Sequence, residues 1–169
     1  MEVFHAIHTR RSIRKFLPDP FPTSDVEQIL AAAMTAPSAG NEQPWHFVVI
    51  TDRAKLDAVV TIHNYAAMAA HAPLAIMVCG DPTLEKYSGF WIQDCSAAMQ
   101  NLLLAVHAKG LGAVWCGVYP VEQRISGFRD LLDLPAHIIP MGLAVIGRTT
   151  VAPVSKNRFR ADRVHSDVW

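Results

Sequence analysis

From Phe90 to Ala108 the chain is apolar on nearly every side of a helix. Trp91, Ile92, Met99, Leu102, Leu103, Leu104 and Val106 leave little polar face, and Gly110 follows as a stop signal. Such a helix cannot lie on the surface of a monomer. Nor does it suit a bilayer, because the segment carries Asp94 beside Gln93, Gln100 and Asn101, and an ionised group in hydrocarbon is costly. Protein must therefore cover it. The 169 residues fit a single domain spanning 1–169, since one core usually takes roughly 100 to 200 residues. One small sheet cannot cover every side of this helix, so part of it is expected to meet a second copy of the chain in a homodimer.

The remaining segments supply the sheet and its cover. Ala75 to Cys79 is a short continuous apolar run between Pro73 and Gly80, the pattern of a strand buried on both faces. Trp45–Ile50, Ala113–Val118 and Ile138–Ile146 are further strands. Helices are expected over 2–9, from Thr23 towards Pro37, over 53–62 and 65–70, and around 121–132. Thr23-Ser24-Asp25 followed by Glu27 reads as the N-cap and first turn of the second helix. Too few simple βα units occur for a doubly wound sheet, so the fold class is α+β, with a central sheet between helices.

Composition narrows the function. Hydrophobic residues at 51% exclude a disordered chain, and 15 cations against 15 acids argue against a general nucleic-acid or membrane-surface binder. The charges are unevenly placed, however. Arg10, Arg11, Arg14 and Lys15 stand near one end and Lys156, Arg158, Arg160 and Arg163 near the other, while the stretch from Asp19 to Ser155 is net −5. Cys79, Cys95 and Cys116 are scattered in apolar surroundings, with no zinc or disulfide spacing, and no secretory leader precedes them; a cytoplasmic setting is expected. The eight histidines form no HExxH or comparable ligand pair, so no metal is expected. GxSxG, Walker and Rossmann glycine patterns are absent as well, leaving no protein nucleophile or general-acid dyad to designate as catalytic.

Four segments remain: Arg10-Arg11-Ser12-Ile13-Arg14, the Pro37–Trp45 loop, the Gly117-Val118-Tyr119-Pro120 turn, and Lys156-Asn157-Arg158. Alternation in an extended chain places Arg10, Ser12 and Arg14 on one side, a clamp suited to a phosphate and a neighbouring polar chain. Lys156 and Arg158 repeat the spacing. Two cationic clips on a folded core suit one small dianion better than a polyanion.

With Arg10–Arg14, the run Pro37-Ser38-Ala39-Gly40-Asn41-Glu42-Gln43-Pro44-Trp45, Asp94 with Ala97–Leu103 in the long helix, Gly110-Leu111-Gly112, and Lys156-Asn157-Arg158, all in this order, the chain resembles the FMN-dependent nitroreductases from about Ile7 to Arg158. The resemblance implies a central mixed, mostly antiparallel sheet and a homodimer. It implies two FMN sites at the subunit interface and a C-terminal segment embracing the partner subunit. Arg10, Arg11, Ser12 and Arg14 would then hold the phosphate, ribityl chain and pyrimidine edge, with Lys156 and Arg158 completing the phosphate grip. Pro37, Ser38, Ala39 and Asn41 would reach the flavin of the other subunit, and backbone around Cys116, Gly117 and Val118 would approach the ring. Asn64 either offers its amide to the ring or caps a helix, and Ser38 could equally cap a turn.

The implied activity is hydride transfer from NAD(P)H through flavin to a nitroaromatic, quinone or related conjugated small-molecule acceptor. The alternative is an FMN-binding protein for flavin storage, delivery or electron transfer to a protein partner. Nucleic acid and membrane are not expected partners. Residues 81–90, with Glu85, Lys86 and Tyr87, form either a substrate lid or a surface turn.

Overall fold

The computed structural model describes residues 1–20 and 22–169. In chain order the elements are α1 (Val3–Thr9), α2 (Thr23–Met34), β1 (Trp45–Ile50), α3 (Arg53–Ile62), β2 (Leu74–Gly80), α4 (Trp91–Ala108), β3 (Gly112–Gly117), α5 (Glu122–Leu132) and β4 (Ile139–Gly147). Short 3-10 turns occur at Ala39–Asn41, Asn64–His71, Pro82–Leu84 and Ala161–Arg163. The four strands form one sheet in the order β1-β2-β4-β3, every neighbouring pair antiparallel. The parallel contribution is one bridge from Ser12 to Ala113, at which Ile13 N–H donates to the Ala113 carbonyl at 2.8 Å.

Alternation along the strands divides the interior in two. Leu74, Ile76 and Val78 of β2 meet α4 and α2 through Met99, Leu102, Val106 and Ile29. Ala75, Met77 and Cys79 point to the other face, where Leu56 and Val59 of α3 and Phe128 of α5 cover them. The strand is consequently buried at every position, as a continuous apolar run requires. Helix α4 buries Trp91, Asp94, Cys95, Ala98, Met99, Leu102, Leu103 and Val106 within the chain, and leaves Gln93 and Gln100 exposed.

Two local details differ from the sequence reading. Helix α2 begins at Thr23 itself, with Pro22 in the capping position and no side-chain cap bond. The extended backbone of Pro22 already sets the entry angle, and Asp25 is used instead to bind Lys109 Nζ at 2.7 Å, tying α2 to the end of α4. Strand β3 ends at Gly117 rather than Val118. The register between β2 and β4 shifts at Val78/Cys79, and Met141 takes the face opposite to the one regular alternation would give it. The Met141 carbonyl then accepts from the Val118 and Tyr119 N–H groups at 3.2 and 3.1 Å, which draws the chain out of the sheet directly after Gly117.

Candidate flavin site

Where β3 leaves the sheet, a cavity of about 530 Å³ opens, within the range of small-molecule sites. Arg14, Asn64, Cys116 and Gly117 line it together. A Cβ built on Gly117 would meet nothing within 4 Å, so the absence of a side chain there leaves space that a flat ring could use. The turn at Asn64 is held by His63, which is almost fully buried. Its Nε2–H donates to the Gly117 carbonyl at 2.9 Å, and its Nδ1 accepts from the Tyr65 N–H at 3.2 Å. These two bonds fix the tautomer and rivet one wall of the cavity to the other. Burial, together with the nearby Arg124 charge, lowers the His63 pKa and favours the neutral ring. His63 is thus the cap of the turn, and Asn64 is left facing the cavity.

His63, Tyr65, Trp115 and Arg124 also line this cavity and were not singled out from sequence. Arg124 belongs to α5, and only the folding of α5 beneath β3 brings it near Arg14. No local pattern signals it. Both guanidinium charges act on the Cys116 thiol, but burial dominates and pushes that thiol up to about 11. Cys79 and Cys95 rise to about 12 for the same reason, so burial disfavours the thiolate at all three.

The first clip is not gathered in one place: Arg10 and Ser12, expected beside Arg14, line neither this cavity nor the next one described. Arg14 faces the large cavity, whereas Arg11 and Ile13 line a second one of about 310 Å³ with Thr9, His107 and Thr149–Pro153. Arg11 Nη1 donates to the Arg10 carbonyl at 2.6 Å, and its Nε and Nη2 are buried without a partner. The Thr9 hydroxyl donates to the His5 carbonyl at 2.6 Å and accepts from His107 Nε2 at 2.7 Å. Arg10 is half-buried, and desolvation with the charges of Arg11 and Arg158 lowers its pKa. The charge of Arg158, from the opposite end of the sequence, is thus near enough to act on Arg10. Ser12 is exposed beside them in sequence, and Lys156 is exposed with no hydrogen bond to the described residues.

Pro37, Ser38, Ala39 and Asn41 line neither cavity. Their loop is tightly built. Ser38 Oγ accepts from the Gln43 N–H at 3.0 Å, and the Ala39 N–H donates to Asp94 Oδ1 at 3.1 Å. Glu42 Oε1 accepts from the N–H groups of Lys86 and Tyr87 at 2.7 and 2.9 Å, so residues 81–90 dock on this loop. Val118 is fully buried and its N–H is already used, so of the turn residues only Cys116 and Gly117 reach the large cavity.

The sequence pattern of the nitroreductase family matches residues 7–72 and 60–148. The chain belongs to the nitroreductase family. A Methanothermobacter thermautotrophicus protein named "Putative NADH dehydrogenase/NAD(P)H nitroreductase" is 48% identical over 169 residues, covering 100% of this chain and 88% of that one. A crystal structure bearing the same name, from Parabacteroides distasonis, superposes with a TM-score of 0.94 at 37% identity and covers 98% of both chains. A Desulfovibrio desulfuricans chain crystallised in complex with FMN is 30% identical, with a TM-score of 0.85, and covers 100% of this chain and 98% of its own. The α+β fold expected of a nitroreductase is thereby present, with helices on both faces of an antiparallel sheet. Among the described residues no helix is long and apolar enough to cross a membrane, and no cluster of His, Cys, Asp and Glu could hold a metal ion.

Proposed function

We propose that this nitroreductase-family protein is an NAD(P)H-dependent FMN oxidoreductase acting on a nitroaromatic, quinone or related conjugated acceptor. We take it to work as a homodimer with FMN at the subunit interface. The observation that carries the reading is the Arg14 cavity. It is wide, open above Gly117, and lined by no carboxylate among the described residues. That donor set fits an electron-rich ring with a polar edge, and the action of the Arg158 charge on Arg10 fits a phosphate. The D. desulfuricans relative binds FMN on the same fold.

When bound, FMN would supply two-electron chemistry, taking hydride from a nicotinamide and passing reducing equivalents to the acceptor in alternate half-reactions. The chain's own part is positioning and electrostatics. Arg10, Ser12, Lys156 and Arg158 grip the phosphate end. Arg14 and the Asn64 amide serve the polar edge of the ring, and Gly117 keeps its approach clear. No protein acid, base or nucleophile is required.

The dimer is supported by what one chain leaves uncovered. Every residue from Val151 to Trp169 is exposed, with Phe159 at 73% and Trp169 at 100%. Val3, Ala6, Leu104, Ala105 and Ala108 line a shallow apolar groove between α1 and α4. A partner would cover both. It would also bring the partner's copy of the Pro37–Asn41 loop towards the cavity from which this chain's loop is absent.

The experiment is a visible spectrum of the purified protein followed by anaerobic addition of NADH and then NADPH. The expected result is an FMN band at about 450 nm that bleaches with at least one donor. A colourless protein that takes up no added FMN would overturn the reading. Bound FMN that neither donor bleaches would point instead to flavin storage, delivery or electron transfer to a protein.

A further inference from the structure

Arg14 is not alone in the large cavity. Arg124, on the first turn of α5, donates from Nη1 to the Gly117 carbonyl at 2.9 Å, and its guanidinium carbon lies 5.9 Å from the centre of the Tyr65 ring. The carbonyl it uses is the one that also accepts from His63, so the backbone of the cavity wall holds the side chain in place. Half of its fork is idle, because Nε and Nη2 make no hydrogen bond to the described residues. Neither Arg14 nor Arg124 has an acidic partner among the described residues. The other titratable lining groups are His63, Tyr65 and Cys116. Nothing lining the cavity cancels the two cations.

An uncompensated pair of fixed cations acts differently on the two oxidation states of a ligand. Reduction adds electrons, and preorganised positive charge in a partly desolvated site favours the more negative state without reorganisation. We infer that Arg124 is a second fixed cation of the flavin cavity, which together with Arg14 binds reduced FMN in preference to oxidised FMN and raises its reduction potential. This rests on the FMN reading above. It assigns a role to a residue on an element outside every segment that suggested flavin binding.

The test uses the intact protein with FMN removed and restored. Oxidised and reduced FMN are titrated separately, and the potential of the bound cofactor is measured by equilibration with a reference dye. Arg124→Gln should lower the ratio of reduced to oxidised affinity about tenfold, equivalent to a potential about 30 mV lower for a two-electron couple. Arg124→Lys, which keeps the charge and loses the fork, should stay within about threefold of wild type. If Gln and Lys variants shift the potential equally, or if the Gln variant leaves it at the wild-type value, Arg124 is a structural prop and the inference fails. A wild-type protein that binds no FMN at all would defeat the flavin reading itself, a result visible before any variant is made.

Discussion

The body of the chain and its last 19 residues obey different rules. In the body two apolar clusters enclose a four-stranded sheet, and most charged groups keep to the surface or to cavities, Asp94 being a buried exception. From Val151 to Trp169 every residue is exposed, although Val151, Val154, Phe159, Val164, Val168 and Trp169 are apolar. Ion pairing there is confined to Arg160 and Asp162, two residues apart and exposed. The contrast teaches that the body carries its own core, whereas the tail leaves its apolar side chains uncovered within one chain.

The comparison breaks most visibly if the tail is removed. A variant ending at Thr150 should keep the folded body's circular dichroism, yet sediment as a monomer and lose FMN affinity by a hundredfold or more, since it lacks both Lys156 and Arg158 and the apolar cover (of order 3 kcal/mol, two charge-assisted bonds). Sedimentation and flavin fluorescence report the two effects separately. A truncated protein that remains dimeric with unchanged affinity would show that the tail is merely solvated.

A finer break separates the two clips. Arg10→Ala alters the body and Arg158→Ala the tail, but the two charges sense each other. Each should weaken FMN binding roughly tenfold to a hundredfold while the dimer persists, since a hydrogen bond to a charged group is worth about 1.5–3 kcal/mol. Equal losses would place both on one phosphate. No loss in either variant would remove them from the site.

The body can be tested where its packing is tightest. A Cβ on Gly80 would overlap the Trp91 ring at the start of α4. Gly80→Ala should therefore cost about 1–3 kcal/mol, read as a melting temperature lower by several degrees. Gly117→Ala, at the open wall of the cavity, should leave melting nearly unchanged and affect flavin binding instead. If both variants melt alike, packing does not distinguish core from cavity in the way described.

Much of this division was legible in the residues, and the reasons differ by region. Strand β2 and helix α4 carry their burial in composition, because a covered strand and a central helix have no polar face to display. The cationic ends were visible as an imbalance within a neutral total. Alternation alone grouped Arg10, Ser12 and Arg14, yet of these only Arg14 lines the large cavity, and Arg11, assigned to the same ligand, lines the second one. Two features were not legible. His63 and Arg124 meet at the Gly117 carbonyl across 54 and 7 positions of sequence, a meeting set by how α5 and the Asn64 turn pack beside β3. The Met141 register shift, which removes Val118 from the cavity, likewise has no local signal among apolar residues that suit either face.

The smallest expected effect concerns Asp94, which ties helix α4 to the Pro37–Asn41 loop. Its Oδ1 accepts from the Ala39 N–H, but Oδ2 is buried with no partner. Burial raises its pKa above the ordinary 3.8, and the nearby carboxylates of Glu42 and Glu85 push the same way. The folded state therefore binds a proton that the unfolded chain would release, and this contribution is present at low pH and lost as pH rises through the raised pKa. At neutral pH the ionised Asp94 is a liability, tolerated because its other oxygen holds the loop. Asp94→Asn keeps that acceptor and removes the charge, so it should melt at or slightly above wild type at pH 7, by about 1 kcal/mol or less, with the advantage shrinking towards pH 4. Asp94→Ala, which drops the acceptor as well, should melt below Asp94→Asn. An Asn variant less stable than wild type at pH 7 would mean that the negative charge itself, and not the hydrogen bond, holds the loop.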